Sequence, residues 1–385
     1  MYKHLYKRFL EANPTQLHFA SHSHHYWPDV TREAQLQYWD DSATHVDNKW
    51  GYLFGTKVPL AQKLISENLN LSKPSQIIFA PNTHEFVFRL MSSLDWTNKI
   101  SILTTDSEFY SFDRQVNRLA ELAQFEVVKV PVAPFDTFHE RFETELKSRE
   151  WNMVFLSHVF FNSALVADFH RLVKSAPADS IFVVDGYHGF MAVPTDLSSV
   201  EDRLFYLAGS YKYAQGGEGA CFLHVPSSVR HRPFYTGWFA ELSHLSSVGN
   251  QVPYPADGMQ YSGSTMDFTP VYRLIATLEL FKKENLTVGK IHAWVQQNQK
   301  YFLDELAKKN HPLINRESLI AADLNHHGHF LTFDLPSTEA TQSLVNEMKS
   351  KGLHTDSRGT RLRFGFGLYQ DKTQIQKAVE LLAGC

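Results

Sequence analysis

Cysteine is nearly absent. The 385-residue chain has two, Cys221 and Cys385, which excludes a disulfide framework in practice and fits a reducing cytoplasm. Long apolar runs are absent as well. None approaches the roughly 20 residues of a membrane-spanning helix, and the opening Met-Tyr-Lys-His-Leu-Tyr-Lys-Arg lacks the apolar stretch of a signal peptide. Neither sign of charge dominates. With 37 basic and 41 acidic residues, nothing suggests wrapping nucleic acid or binding an anionic membrane by bulk charge. Internal repeats and low-complexity tracts are lacking too. What the chain does have is apolar residues, 43% of the total, enough to bury the cores of one large domain and a smaller one. Histidine is frequent, at 20. His22, His24 and His25 crowd together, as do His326, His327 and His329. No Cys or carboxylate stands at a familiar ligand spacing, and the first cluster lacks a His-Glu-x-x-His frame. No metal is therefore expected, and residues 326–329 read as a solvated turn before a strand.

Strand and helix patterns alternate from about residue 58 to 225. Strands are predicted over 77–80, 100–104, 125–130, 153–157, 181–184, 205–208 and 219–224. Helices are predicted over 58–68, 83–94, 112–123, 138–147 and 170–175. This alternation argues for an α/β domain whose central sheet is mostly parallel, with helices on both faces. A ligand then belongs at the carboxyl ends of the strands. Residues 226–270 are irregular and too long for an idle loop, which suggests that they line a site or an interface. Helices over 271–284 and 290–309 follow. The tail reads strand (330–335), helix (339–351), strand (361–366), helix (372–382), a compact α+β unit. The expected organisation is an N-terminal segment (1–50) packing on the small domain, a large domain (51–285) and a small C-terminal domain (286–385).

Two segments carry the chemistry. Ile181-Phe-Val-Val-Asp-Gly-Tyr-His188 is an apolar run ending in Asp185 and His188. Phe205-Tyr-Leu-Ala-Gly-Ser-Tyr-Lys212 is another, ending in Lys212 between Tyr211 and Tyr213 and followed by Gly216-Gly-Glu-Gly219. Taken alone, Asp185 is a turn residue after a strand and Lys212 a surface lysine. Together, a lysine and a carboxylate at neighbouring strand ends are what pyridoxal phosphate (PLP) needs. The amine forms a Schiff base and the acid keeps the pyridinium nitrogen protonated. The glycines let the backbone approach a ligand closely.

Other segments are consistent with that reading, each with a plainer alternative. Thr83 and His84 stand where a helix begins, either to receive a phosphate or as part of an ordinary cap formed by Asn82 or Thr83, with Glu85 in the first turn. In Glu108-Phe-Tyr-Ser111, Phe109 could stack on a flat cofactor and Ser111 could bond its phosphate; Phe109 could equally be core. Arg361 and Arg363 alternate on one strand and share a face, suited to gripping a carboxylate or simply exposed.

These motifs resemble the class V aminotransferase superfamily, PLP enzymes of fold type I, and within it the chain is most similar to kynureninase. The resemblance rests on Asp185-Gly-Tyr-His188, Ser210-Tyr-Lys-Tyr213, Gly216-Gly-Glu-Gly219, Gly237-Trp238 and Arg363-Phe-Gly-Phe-Gly-Leu-Tyr369, and spans roughly residues 17–383. It implies that Lys212 carries the cofactor and shuttles protons. Asp185 would pair with the pyridinium nitrogen, and His188 would help to hold the ring. Tyr211, Thr83 and Ser111 would bind the phosphate, Phe109 would stack on the ring, and Arg363 would bind the substrate α-carboxylate. Trp238 and Thr265 would come from the partner in a homodimer. The substrate half departs from the pattern. His22, Ser23, His24 and His25 stand where kynureninases have Asn-Ser-Leu-Gly, and would face the substrate. Phe112 replaces an aspartate near the phosphate, and Asn162-Ser163 is similar to the Asn-Thr of aminotransferases. The implied activity is hydrolytic Cβ–Cγ cleavage in amino-acid metabolism. The alternatives are transamination to a keto acid, a cysteine desulfurase-like lyase, or PLP binding without catalysis.

Overall fold

Seven short apolar runs assemble into one sheet in a computed structural model, which describes residues 2–244 and 251–385; residues 245–250 of the irregular stretch lie outside the described residues. The strands are β1 (Ile77–Ala80), β2 (Ile100–Thr105), β3 (Phe125–Val130), β4 (Met153–Ser157), β5 (Ile181–Asp185), β6 (Leu204–Gly209) and β7 (Cys221–His224). Their order is β1-β7-β6-β5-β4-β2-β3. Only β7 runs against its neighbours, pairing antiparallel with β1 and β6. The other pairings are parallel. β1, β4, β5, β6 and β7 are buried along their whole length, as expected of a sheet covered on both faces.

The helices named next cover that sheet or join it to the rest of the chain. They include α1 (Val30–His45), α2 (Val58–Leu69), α3 (Thr83–Met91), α4 (Tyr110–Leu119), α5 (Phe138–Leu146), α6 (Phe169–Ser175) and α7 (Thr269–Lys283). Two apolar cores result. One includes Phe138, Phe142, Phe160 and Leu274; the other includes Phe86, Phe112, Phe155 and Val183. Phe112 stacks on Phe155 with centroids 3.7 Å apart. It is a buried core residue.

A third core forms around the tail. α8 (Val288–Ala307), α9 (Thr338–Ser350) and α10 (Lys372–Leu382) accompany an antiparallel three-stranded sheet of β8 (Phe330–Asp334), β9 (Asp356–Arg358) and β10 (Arg361–Gly365) in the order β9-β10-β8. The first fifty residues divide between the two regions. Leu17–His18 pairs in parallel with Leu353–His354, and Gly365 N donates to the Phe19 carbonyl at 2.7 Å. In contrast, α1 lies along α7, with Tyr272 Oη donating to Asp41 at 2.8 Å. Among the described residues no helix is long and apolar enough to cross a membrane.

The second histidine cluster corrects the sequence expectation of a solvated turn. His326 is exposed and pairs with Asp323, but His327 and His329 are buried. His327 bridges to Leu165, and Gln299 reaches over to the Gly328 carbonyl at 2.9 Å. The turn is therefore wedged between the large sheet's connections and α8.

Candidate active site

The carboxyl ends of β1, β2, β4, β5 and β6 point to one side of the sheet and surround a cavity of about 220 Å³. Its walls include Asn82, Thr83, Phe109, Ser111, Asp185, His188, Tyr211 and Lys212. Seven of the site residues expected from sequence, Thr83, Phe109, Ser111, Asp185, His188, Tyr211 and Lys212, thus meet at one place, together with Asn82, Ser157, Val159, Phe161, Tyr187 and Glu218.

Asp185 is the last residue of β5, and its carboxylate accepts the Tyr187 N–H at 2.9 Å. Burial pushes it up to about 6, opposed by that hydrogen bond and by Lys212. It is still mostly ionised at neutral pH. Lys212 leaves β6 through a tight loop. Ser210 Oγ donates to the Gly217 carbonyl at 2.5 Å, and Gly217 has φ +71°. A Cβ there would lie 2.4 Å from Trp27, so only glycine lets the loop fold this closely. Arg273, from α7, clamps the loop by donating to the Gly216 and Glu218 carbonyls at 2.6 Å each. No local sequence signal marks this clamp, because Arg273 lies on a helix more than fifty residues away. The lysine amine donates to the His22 carbonyl at 2.8 Å. Burial lowers it to about 7, helped by Arg363 and opposed by Asp185 and Asp356. A burial cost larger than the mutual attraction explains why acid and amine move in opposite directions.

His188 is buried, and among the described residues neither ring nitrogen has a hydrogen-bond partner. Its side faces Phe330, with centroids 5.4 Å apart. Asn82 caps α3 by accepting Glu85 N at 3.1 Å, while Thr83 lines the cavity. The cap and the phosphate-site geometry therefore coexist. His84 turns away. It bonds Gln115 at 3.0 Å and lines a neighbouring cavity with Phe88 and Tyr235. Successive helix residues point roughly 100° apart, so Thr83 and His84 cannot both face the same ligand. Phe109 is not core: it is partly exposed and stands edge-on to Phe161 at 5.4 Å.

Glu108 carries no sequence signal that marks it as a site residue. It is buried behind the cavity, accepting Ser157 Oγ at 2.5 Å and Thr105 Oγ1 at 2.7 Å. Burial pushes its carboxyl to about 8, against the hydrogen bonds of Ser157 and Thr105. It is thus largely protonated at neutral pH.

Arg363 and the N-terminal histidines lie behind the cavity wall. Arg363 is buried and donates to the Phe161 carbonyl at 2.6 Å and to Asp356 Oδ2 at 2.5 Å. Arg361, on the same strand, is half-buried and pairs with Asp334 at 3.3 Å, outside the site. His22 is fully buried against Phe330. Ser23 and His24 stand further out, with His24 edge-on to Tyr211 at 5.5 Å. His25 is buried and bonds the Tyr26 carbonyl at 2.8 Å. Trp238 and Thr265 do not line the cavity; Trp238 Nε1 donates to Thr265 Oγ1 at 3.2 Å. Asn162 bonds Ser107 at 3.2 Å.

No family model and no curated protein matches the sequence. Solved structures do match over nearly the whole chain. The cystine C–S lyase C-DES, in complex with its reaction product cysteine persulfide, superposes with TM-score 0.82 at 17% identity, covering 97% of this chain and 99% of its own. A mutant of C-DES with glycine covalently linked to the PLP cofactor gives the same TM-score and identity, covering 97% and 98%. The cysteine desulfurase CsdA from Escherichia coli gives 0.77 at 16% identity, covering 96% and 94%. The chain therefore has the architecture of the cysteine desulfurases and of this C–S lyase, the type I fold of PLP-dependent enzymes.

Proposed function

We propose that this protein is a PLP-dependent enzyme acting on a small α-amino acid, with Lys212 as the residue that carries the cofactor. One observation supports this above the others: a buried amine and a buried carboxylate line one cavity at the carboxyl ends of adjacent parallel strands. The residues fit the group. Asp185, still mostly ionised, suits a protonated ring nitrogen, and His188 has two buried nitrogens without partners. Thr83 at the start of α3, with Tyr211 and Ser111, offers hydroxyls and helix amides to a phosphate. Phe109, on the cavity wall, would offer its ring to a flat cofactor. When bound, PLP supplies an electron sink for the substrate's α-carbon. Lys212, lowered to about 7, holds a large neutral fraction at neutral pH. It can therefore act as a nucleophile and can take and return the α-proton. Arg363 binds the α-carboxylate, and Trp238 and Thr265 complete the neighbour's site in a homodimer.

The reaction we favour is hydrolytic Cβ–Cγ cleavage of kynurenine or a related γ-oxo amino acid. It is supported by Ser210-Tyr-Lys-Tyr213 and by the aromatic wall of Phe109 and Phe161. A second reading, C–S bond cleavage without an enzyme thiol, is favoured by the likeness to the C–S lyase. Among the described residues no thiol lines the cavity. Cys221 faces Thr83, with its thiol pushed up by burial, and Cys385 sits beside Lys351. A desulfurase mechanism that parks sulfur on an enzyme cysteine therefore has no residue to use.

Borohydride treatment of PLP-loaded protein should fix a pyridoxyl mass on the peptide containing Lys212, and Lys212→Ala should lose it. A label on another lysine defeats the assignment. Kynurenine and cystine are then assayed with and without an α-keto acid. Anthranilate and alanine released without an acceptor support hydrolysis. Persulfide from cystine supports the lyase, and strict dependence on the acceptor identifies a transaminase.

A further inference from the structure

Resting on the proposed binding of the α-carboxylate by Arg363, we propose that Asp356 occupies that carboxylate subsite as the chain's own stand-in. His22 is the second donor to the subsite, and Arg358 is the outer partner to which Asp356 turns when substrate enters. Asp356 and Arg363 are register partners on β9 and β10, so a simpler reading is an ordinary cross-strand ion pair. Among the described residues, four features of the site go beyond such a pair.

First, the guanidinium has no free end. One terminal nitrogen holds the Phe161 carbonyl and the other holds Asp356 Oδ2, while Nε is buried without a partner. An incoming carboxylate must therefore replace something, and only Asp356 carries the same functional group. Second, His22 Nε2 lies 3.8 Å from the same Asp356 oxygen. Its ring is fully buried, and neither nitrogen has a hydrogen-bond partner. An unpartnered buried imidazole beside a carboxylate position is a donor in waiting, because leaving it unsatisfied costs stability. Third, Thr332, the register partner of Arg363 on β8, also has a buried hydroxyl without a partner. Fourth, Asp356 has somewhere to go. Its other oxygen, Oδ1, already accepts Arg358 Nη1 at 2.7 Å, and the Arg358 side chain is exposed. A rotation of the Asp356 side chain exchanges the inner arginine for the outer one without moving the strand. The device selects for a ligand that brings a carboxylate able to take two donors, Arg363 and His22, at once.

The test is calorimetric titration of full-length, PLP-loaded protein with propionate, which has the carboxylate but no amino group. Asp356→Asn should tighten propionate binding about tenfold, because the internal competitor has lost its charge. Arg358→Ala, a surface change, should weaken it several-fold by leaving Asp356 with the inner partner alone. His22→Ala in the Asp356→Asn background should cancel most of the gain. If Asp356→Asn binds propionate no better than the wild type while Arg363→Ala abolishes binding, Asp356 merely orients the guanidinium and the proposal is wrong. If Arg363→Ala leaves binding intact, the carboxylate role of Arg363 fails as well, and the borohydride label on Lys212 shows separately whether the cofactor reading stands.

Discussion

Moderate acid should destabilise this protein steeply, because the native structure holds several histidines where they cannot take up a proton. His18, His25, His158 and His327 are all buried. Burial is the largest cause lowering them to about 3, 4, 3 and 4 respectively. In the unfolded chain each titrates near 6.5. Between about pH 6.5 and 4 the unfolded chain therefore binds protons that the native state refuses, and stability falls as the pH falls. Each such histidine contributes roughly 1.4 kcal/mol per pH unit within that window. Two carboxyls oppose the trend. Glu108, raised to about 8, and Asp185, raised to about 6, keep protons that the unfolded chain would release. Their contribution is present at low pH and is lost as the pH rises through those values. Near pH 5.5 four histidines stand against two carboxyls, which leaves a net slope of roughly 3 kcal/mol per pH unit. Total stabilities are about 5–15 kcal/mol, so one pH unit removes a large share. His22, His188 and His329 shift in the same direction as the four and steepen the loss. The assay is equilibrium urea unfolding of the cofactor-free protein at pH 7, 6 and 5, followed by tryptophan fluorescence. His158→Gln should reduce the slope by about 1.4 kcal/mol per unit, one proton's worth. A stability that is flat or rises between pH 6.5 and 5 would refute the view that these imidazoles are buried and neutral.

Two further substitutions probe the surroundings of the site. Glu108→Gln should change stability at pH 6 by no more than about 1 kcal/mol, since the carboxyl it replaces is already neutral and its hydrogen bonds can be kept. It should also remove Glu108's own contribution to stability, which is lost as the pH rises through about 8, so the stability difference between variant and parent should change between thermal melts at pH 6 and 8; a loss of several kcal/mol at pH 6 would mean that Glu108 is ionised in the native state. Gly186→Ala places a Cβ 2.0 Å from the Tyr206 ring, an overpacking that should cost about 1–3 kcal/mol. An unchanged urea midpoint would show that the turn after Asp185 has slack.

The central sheet was readable because its strands are short apolar runs bounded by polar or turn residues. Segments such as 125–130 and 153–157 end where the pattern ends. Helix α1 was not read, and the reason is visible: it buries few side chains and leaves Leu36 and Trp39 exposed, so no apolar stripe marks it. Asp185 and Lys212 were legible because each interrupts an apolar strand at its carboxyl end, a local signal.

What the sequence by itself determined is this alternation of elements, the two strand-end residues and the glycines that let the lysine loop close. Which polar groups meet was decided only by the tertiary structure. Thr83 and His84 are neighbours in sequence, yet the helix sends them to different cavities. His327 and His329 look like a wet turn, yet packing against α8 buries them. Glu108 is an ordinary acid until Thr105 and Ser157 enclose it. The pairing of Arg363 with Asp356 and the nearness of His22 depend on strand register and on an N-terminal segment crossing the tail sheet. Periodicity in a sequence reports how each segment meets an apolar surface. Protonation and partnership depend on desolvation and on contacts between distant segments, which exist only once the chain has packed.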